Sequence, residues 1–463
     1  MNASTAAFSA TVTTAVTAPC AVYEVDGRSY AVDSREFANV VAQAQACRRR
    51  LRCMCQAGGV EMYVARLAPA QGGYIVKRMP DTGWRHATHC PSYAPPAATS
   101  GLGQLLGSAI LEDPANGVTT LKLGFALSRM QGRVVAPTSE GSGTSVRSDG
   151  ATLSLRGLLH YLWDQAELAR WHPDLAGKRS WGVVRSHLLE AAGQLVARRE
   201  LLVSRLYIPE PFSVDQREAL YARRLAAWSC AAAERAGCAA LMLLIAEVKE
   251  IVPARYGFKA VVKHLPDQAF MIDESLYRRL GRAFETELAL WATGEDVHMI
   301  MIATFGVSGG VPSVQELCLM PVTRQWLPVD DGFGKQLVDK LVAQRRAFTR
   351  SLPYELPAKV QRAFAVLSDC GNLPATLSIV RGDQAPPDAG AADTDAVAPG
   401  WLWHAHLEPL PALPARASAD AGDAARDQEA AGGMAPVPVL RDFGPDAGRT
   451  GSPAGGSGAG STP

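Results

Sequence analysis

The sequence predicts an α+β fold, with a small zinc-stapled β module at the N-terminus, then a helical hairpin, then an antiparallel meander with packed helices. Three observations carry this. Apolar residues recur at helical spacing from Leu155 onward. Three β-like runs follow one another across Pro253, Gly257 and Pro266. Cys53 with Cys55, and His86 with Cys90, form two close pairs that close a long loop.

Residues 1–19 read as a disordered tail. Val22 to Val32 reads as a hairpin about the turn pair Asp26-Gly27, followed by an Ala-rich helix near Glu36 to Arg49. After Cys53-Met54-Cys55 come the strand M-Y-V-A-R-L, the turn Gln71-Gly72-Gly73, the strand Y-I-V-K-R-M and the knot T-G-W-R-H-A-T-H-C-P. This is a two-stranded unit with candidate ligands at both ends. Val118 to Ser128 and Arg133 to Ala136 suggest further strands, and Thr138 to Gly150 is rich in Ser, Gly and Thr. The module is placed at 20–137 and a linker at 138–152.

Ser154 caps a helix carrying Leu155, Leu158, Leu159, Leu162 and Trp163. Pro173 and Gly177 break the pattern, and Ser180 opens a second stretch with Val183, Val184, Leu188, Leu189, Leu195 and Val196. Val214 to Ala236 completes a helical region at 153–240. The body, 241–414, begins with the meander Leu241 to Ile251, Phe258 to Lys263 and Ala269 to Ile272. A helix near Glu274 to Ala292, strands at Val297 to Phe305 and Val314 to Met320, a helix near Phe333 to Phe348, and strands at Phe364 to Leu367 and Thr376 to Val380 follow. Two tryptophans rarely sit in water without a partner, so Gly400-Trp401-Leu402-Trp403 is expected to fold back as a last edge strand. Residues 415–463, rich in Ala, Gly, Pro and Asp, read as a second disordered tail.

Composition narrows the function. The 463 residues carry 46 basic and 45 acidic side chains, so a nucleic-acid surface must be local rather than a property of the whole chain. Nine cysteines are too few for a disulfide scaffold at this length and fit a reducing compartment. The N-terminal stretch lacks a basic front and an unbroken apolar run, and the greasiest windows, Ala239 to Ala246 and Val297 to Val307, are about half a bilayer span. A cytoplasmic protein without membrane contact is expected.

The metal reading rests on spacing. In an extended segment the thiols of Cys53 and Cys55 project on one side, and His86 and Cys90 supply an H-x3-C pair further along the chain. Zinc takes four ligands at tetrahedral corners, and thiolates with an imidazole suit its borderline-soft character. His89 is the alternate imidazole, disfavoured because it adjoins Cys90, and Cys47 is a reserve thiol. The competing interpretation is ordinary buried thiols near an exposed histidine pair. A catalytic zinc would need a nearby carboxylate base. Glu61 is the one close in sequence to Cys55, and as an outward strand residue it is expected to be solvated, so the zinc is expected to be structural.

The order V-Y-E-V-D-G, C-M-C, M-Y-V-A-R, G-G-Y-I-V-K-R-M-P, H-A-T-H-C-P-S-Y, then L-R-G-L-L-H-Y-L-W, R-S-W-G-V-V-R and I-A-E-V-K-E-I resembles a bacterial family known as domain of unknown function 1173. The resemblance spans Val22 to Pro411. It implies three N-terminal cysteines, matched by Cys53, Cys55 and Cys90, and a setting on plasmids and integrative elements; it implies no activity. The C-x-C pair also resembles SWIM-type zinc fingers, which continue C-x-H where this chain has H-x3-C.

Three weaker signals remain. The helix pair Ser154 to Arg199 carries Lys178, Arg179, Arg185, Arg198 and Arg199, candidates for DNA or RNA contact, although Asp164, Glu167, Asp174, Glu190 and Glu200 dilute the field and a packed hairpin with a solvated face explains the same residues. Glu247 and Lys249 form an E-x-K pair like that of PD-(D/E)XK nucleases, but no acid on a preceding strand completes it, and an exposed ion pair is the simpler account. A third basic stretch, Lys335, Lys340, Arg345, Arg346 and Arg350, reads as a solvated helix face. The functional expectation is a zinc-binding accessory protein that contacts nucleic acid or a protein partner. The alternatives are a metal-dependent nuclease-like enzyme using Glu247 and Lys249, and a protein-interaction adaptor.

Overall fold

The fold is taken from a computed structural model that describes residues 21–66, 73–115, 117–130, 152–232, 234–235, 238–354, 363–371, 373–382 and 398–417. Arg133 to Ala136, nearly all of the expected linker, the expected N-terminal tail and residues 418–463 of the expected C-terminal one lie outside the described residues. The architecture is α+β. Its helices are α1 (Phe37–Ala46), α2 (Leu155–Gln165), α3 (Trp181–Ala192), α4 (Arg217–Ala232), α5 (Glu274–Ala283), α6 (Glu285–Trp291) and α7 (Gly332–Ala343).

The expected hairpin and the two strands after Cys55 join with one more strand into a single sheet. Five strands pair in the order Arg28–Ala31, Val22–Val25, Leu51–Cys53, Val60–Arg66 and Tyr74–Arg78, antiparallel throughout. The strand missed is Leu51–Cys53, three residues long and interrupted by an exposed arginine; so short a run has no readable period until its neighbours bracket it. α1 covers one face, with Phe37 stacked on Tyr23 at 5.4 Å and Val41 and Ala44 buried beside Leu51, Met62 and Val76.

The largest core runs from Leu105 to Tyr354 and unites strands Ile110–Asp113 and Val118–Leu121 with α2, α3 and the meander. Ser154 and Ser180 cap α2 and α3 as their positions suggest. α3 stops at Ala192, however, and Leu195–Ala197 is a strand lying parallel to Val118–Leu121. Apolar residues at helical spacing also suit a buried strand, and the turn at Arg198 and Arg199, both at positive φ, sets the hairpin to Glu200–Leu201.

The meander forms as read, Met242–Pro253, Phe258–Val262 and Ala269–Ile272, and is extended by Val311–Thr323 and Val297–Ser308. Val297–Ser308 pairs back onto Met242–Pro253, so these strands close into a ring; Ile245 and Ile302 are paired on one face, and Phe305 on the other packs with Phe270 against Trp228 of α4. The single helix expected over Glu274 to Ala292 is two, broken at Phe284, whose ring is wholly buried beneath the Arg156 guanidinium.

A further sheet has the order Ala398–His404, Ala375–Val380, Ala365–Leu367, Phe348–Arg350 and Arg170–Trp171, with α7 packed on it through Leu337, Val338 and Leu341. The tryptophan segment is its edge strand. Trp403 is buried and donates to the Glu408 carbonyl, and Trp401 donates to Ala412. Arg350 holds this sheet to the rest: its guanidinium lies 3.5 Å from the Phe364 ring centre and donates to the carbonyls of Pro328, Ser351 and Phe364 and to Asp330. Among the described residues no helix is long and apolar enough to cross a membrane.

Replacing Arg350 with Met removes its donors from the carbonyls of Pro328 and Ser351 and from Asp330, while Phe364 keeps the Ser351 N–H. Arg350→Met is therefore expected to cost about 3 kcal/mol, read as a lower urea midpoint at unchanged slope.

Candidate metal centre

Cys53 ends its strand and Cys55 follows in the turn that leads to Val60–Arg66. That turn depends on Gly58 and Gly59, both at positive φ, and a Cβ on Gly59 would lie 3.0 Å from the Met54 sulfur. The second pair is carried by a loop pinched shut between Gly83 and Ala94. Ala94 N–H donates to the Gly83 carbonyl at 3.1 Å, and a Cβ on Gly83 would come within 2.6 Å of Ala94. Inside the loop, Cys90 N–H bonds the Ala87 carbonyl and Tyr93 N–H the Cys90 carbonyl.

The two segments bring together the three sulfurs and one imidazole nitrogen of Cys53, Cys55, His86 and Cys90, all within 4.8 Å of one another. Cys53 Sγ lies 3.7 Å from Cys90 Sγ, and His86 Nδ1 lies 3.4 Å from Cys55 Sγ and 3.7 Å from Cys90 Sγ. A tetrahedral ion with metal–sulfur bonds near 2.3 Å has ligand–ligand edges of about 3.8 Å, so the donor set is the right size and type. Cys53, His86 and Cys90 are buried. His89 is exposed and stands outside the cluster, as does Cys47. Glu61 is exposed on its strand.

Electrostatics within the cluster favour charge on one sulfur. Cys53 and Cys90 donate to Cys55, joined by His86 and the Ala87 N–H, and together they pull the Cys55 thiol far down. Cys53 is driven up by its bonds to Cys55 and Cys90 and by burial. Cys90, helped by Cys53 but opposed by its bond to Cys55 and by burial, sits at about 11. A divalent cation would supply the positive charge that lets all of the thiols ionise.

The ligand loop is fastened to the body. Arg170, from the distant sheet, donates to the carbonyls of Pro91 and Tyr93, directly after Cys90; Arg78 reaches the carbonyls of Ser92 and Tyr93; and Thr88 donates to Gly371.

The other sequence candidates do not assemble into one surface. Arg179 is turned inward onto the carbonyls of Leu168, Gln325, Glu167 and Arg170, and burial lowers it to about 10. Arg185 donates to Ile208 and Arg198 to Phe125. Arg198 and Arg199 occupy a hairpin turn, not a helix, and Lys178 is exposed in the loop before α3. In the third basic stretch Lys340 and Arg346 hold the carbonyls of Leu410, Pro411 and Pro414, and Arg346 pairs with Asp369, so the expected solvated face is instead a clasp on the chain after the tryptophan strand.

The exposed Glu247–Lys249 pair is corrected. Glu247 is buried and bonded to His298 Nδ1 at 2.7 Å and Lys263 Nζ at 2.5 Å, while Lys249 is exposed. A register irregularity between Val248 and Glu250 interrupts the alternation that would have kept them together. His298 stacks on Trp326 at 4.7 Å. No third histidine, cysteine or carboxylate joins Glu247 and His298 in a metal-sized group among the described residues.

Arginines beside the metal cluster were missed. Arg48 and Arg50 are exposed just ahead of the strand that ends in Cys53; Arg50 reaches the Met79 sulfur, and Arg85 is exposed with its guanidinium 5.3 Å from the half-open Trp84 ring. The run R-R-R-L-R-C was the available signal, obscured by the neutral balance of the whole chain.

Burial disfavours the charge on Glu247, but the bonds from His298 and Lys263 outweigh it and hold the carboxyl below its ordinary value. The stabilisation is thus present above the unfolded value, about 4.3, and disappears as pH falls through the folded one. Glu247→Gln is expected to be less stable than the parent at neutral pH by urea denaturation, with a gap that closes on acidification; a gap that widens contradicts the assignment.

No curated protein and no solved structure matches the chain. Residues 23–406 match the family described as "Protein of unknown function (DUF1173)". With the match covering most of the sequence and the clustered cysteines inside it, the chain belongs to that family.

Proposed function

We propose that this is a cytoplasmic accessory protein whose N-terminal module is stapled by a structural zinc ion and contacts nucleic acid through the arginines beside it, in the mobile-element setting implied by the family resemblance. The observation that carries the reading is the closed set of three thiols and an imidazole, with exposed Arg85 adjoining His86 and exposed Arg48 and Arg50 leading into the strand that ends in Cys53. Zinc is favoured by the donor chemistry, since thiolate with imidazole excludes hard cations. Bound there, zinc supplies cross-linking energy and no reaction. With four donors from the chain at the site and Glu61 exposed on a strand, the described residues offer neither the open position nor the base that hydrolysis requires.

Phosphate contact is favoured at this surface because, among the described residues, these guanidiniums make no ion pair with a carboxylate, whereas Arg49 is spent on Asp26. Trp84 adds a ring on which a base can stack. A protein partner is the alternative occupant, distinguished by the test below.

Protein purified without added metal is expected to contain one zinc per chain, and Cys53→Ser and Cys90→Ser to lose it together with N-terminal order seen by proteolysis. Unchanged zinc in both variants refutes the staple. In gel shifts the parent should bind DNA with steep salt dependence. The triple variant Arg48→Ala, Arg50→Ala, Arg85→Ala, with zinc retained, should lower the log–log salt slope by about three. Absence of any shift at low salt rejects nucleic acid and leaves the adaptor reading.

A further inference from the structure

A cavity of about 140 Å³ lies where the N-terminal module meets the body. Its walls come from the edge strand Tyr74–Arg78, the metal-loop residues Gly83 and Tyr93, the strand Ile110–Asp113, the end of α2, and residues 349–354. Neither the metal cluster nor the arginine surface uses it.

The polar groups lining it fall into two sets. Arg78 and Arg170 are committed to the carbonyls after Cys90 and share Glu167, and Arg350 is committed to Asp330 and three carbonyls. Lys77, Glu112 and Asp164 are uncommitted: all are half-buried, and among the described residues none makes an ion pair. Burial lowers the Lys77 ammonium to about 8, raises Asp164 to about 6 and raises Glu112, outweighing the mutual attraction of Lys77 and Glu112 and the pull of Arg78 and Arg170 on Asp164. Two more lining residues, Tyr93 and Tyr354, are buried with hydroxyls that have no hydrogen-bond partner. Unpaired buried polar groups are uncommon and call for an explanation.

We infer that this cavity is a binding site for a single-ring polyol, of the pentose, hexose or cyclitol class. Charge decides against the other small ligands. An inorganic anion meets Glu112, Asp164 and Glu167, while a small cation meets Lys77 with Arg78 and Arg170. A neutral ligand whose adjacent hydroxyls each donate and accept can hydrogen-bond the carboxylates, the ammonium and the phenols together, and it brings no charge of its own to oppose either sign. The size agrees, because a cavity of about 150 Å³ accommodates one six-membered ring, well below the 300–1,000 Å³ of pockets for larger ligands. This inference goes beyond the zinc and nucleic-acid reading and stands without it.

The test is saturation-transfer NMR on the full chain as purified, with D-ribose, D-glucose and myo-inositol as probes and inorganic phosphate and putrescine as controls. At least one polyol is expected to bind at millimolar concentration. Asp164→Asn and Glu112→Gln, which keep side-chain shape, are each expected to weaken that binding about tenfold, the equivalent of one hydrogen bond to a charged group, with circular dichroism and zinc content unchanged. Failure of all three polyols, polyol binding that is indifferent to both substitutions, or displacement of the polyol preference by phosphate or putrescine each overturns the assignment.

Discussion

Three thiols and an imidazole confined within 4.8 Å of one another cannot all adopt their metal-binding state unless positive charge sits among them. Alone, the cluster concentrates its negative charge on Cys55 and keeps Cys53 and Cys90 protonated as donors to it. That constraint shapes the whole N-terminal unit. One segment must turn back immediately after C-M-C, which the paired glycines permit, and the other must be pinched at Gly83 against Ala94. The unit has its own core, built round Tyr23, Phe37, Leu51 and Met62, so a cation here would reinforce folded structure rather than create it.

The metal loop also serves as a joint. Its carbonyls after Cys90 are gripped by Arg78 from the module and Arg170 from the distant sheet, and Thr88 reaches Gly371. The order imposed by the four ligands is therefore passed to the contact between module and body, and the polar cavity lies along that contact. Chain order would not suggest this, since Arg170 belongs to a sheet whose other strands come from residues 348–404.

Arginine use follows one physical rule through much of the molecule. Arg179, Arg185, Arg198, Arg346 and Arg350 end on backbone carbonyls, filling acceptors that helices and loops leave open. A guanidinium has five donors in a plane and no acceptor, which suits it to carbonyl clusters as well as to phosphate. Counting basic residues on a predicted helix cannot separate those uses. Arg48 and Arg50, ahead of Cys53, differ in that their side chains are exposed and reach no backbone carbonyl among the described residues.

Local chemistry was legible in the sequence wherever neighbours along the chain decide the outcome. The Asp26-Gly27 hairpin, the serine caps of α2 and α3, the meander and the four clustered residues all have signals confined to a few positions. The tryptophan edge strand was legible for a different reason: two large rings must find cover, wherever it lies. Tertiary structure alone decided which short runs became strands. Leu51–Cys53 exists because it is sandwiched between Val22–Val25 and Val60–Arg66, and Leu195–Ala197 because Val118–Leu121, far along the chain, offers it a ladder; three residues carry too little pattern to announce either. It also decided the fate of Glu247, whose partners are His298 on another strand of a ring that closes on itself and Lys263 in the turn after a third. Burial and pairing are properties of the assembled sheet, and no window of sequence contains both halves of such a contact.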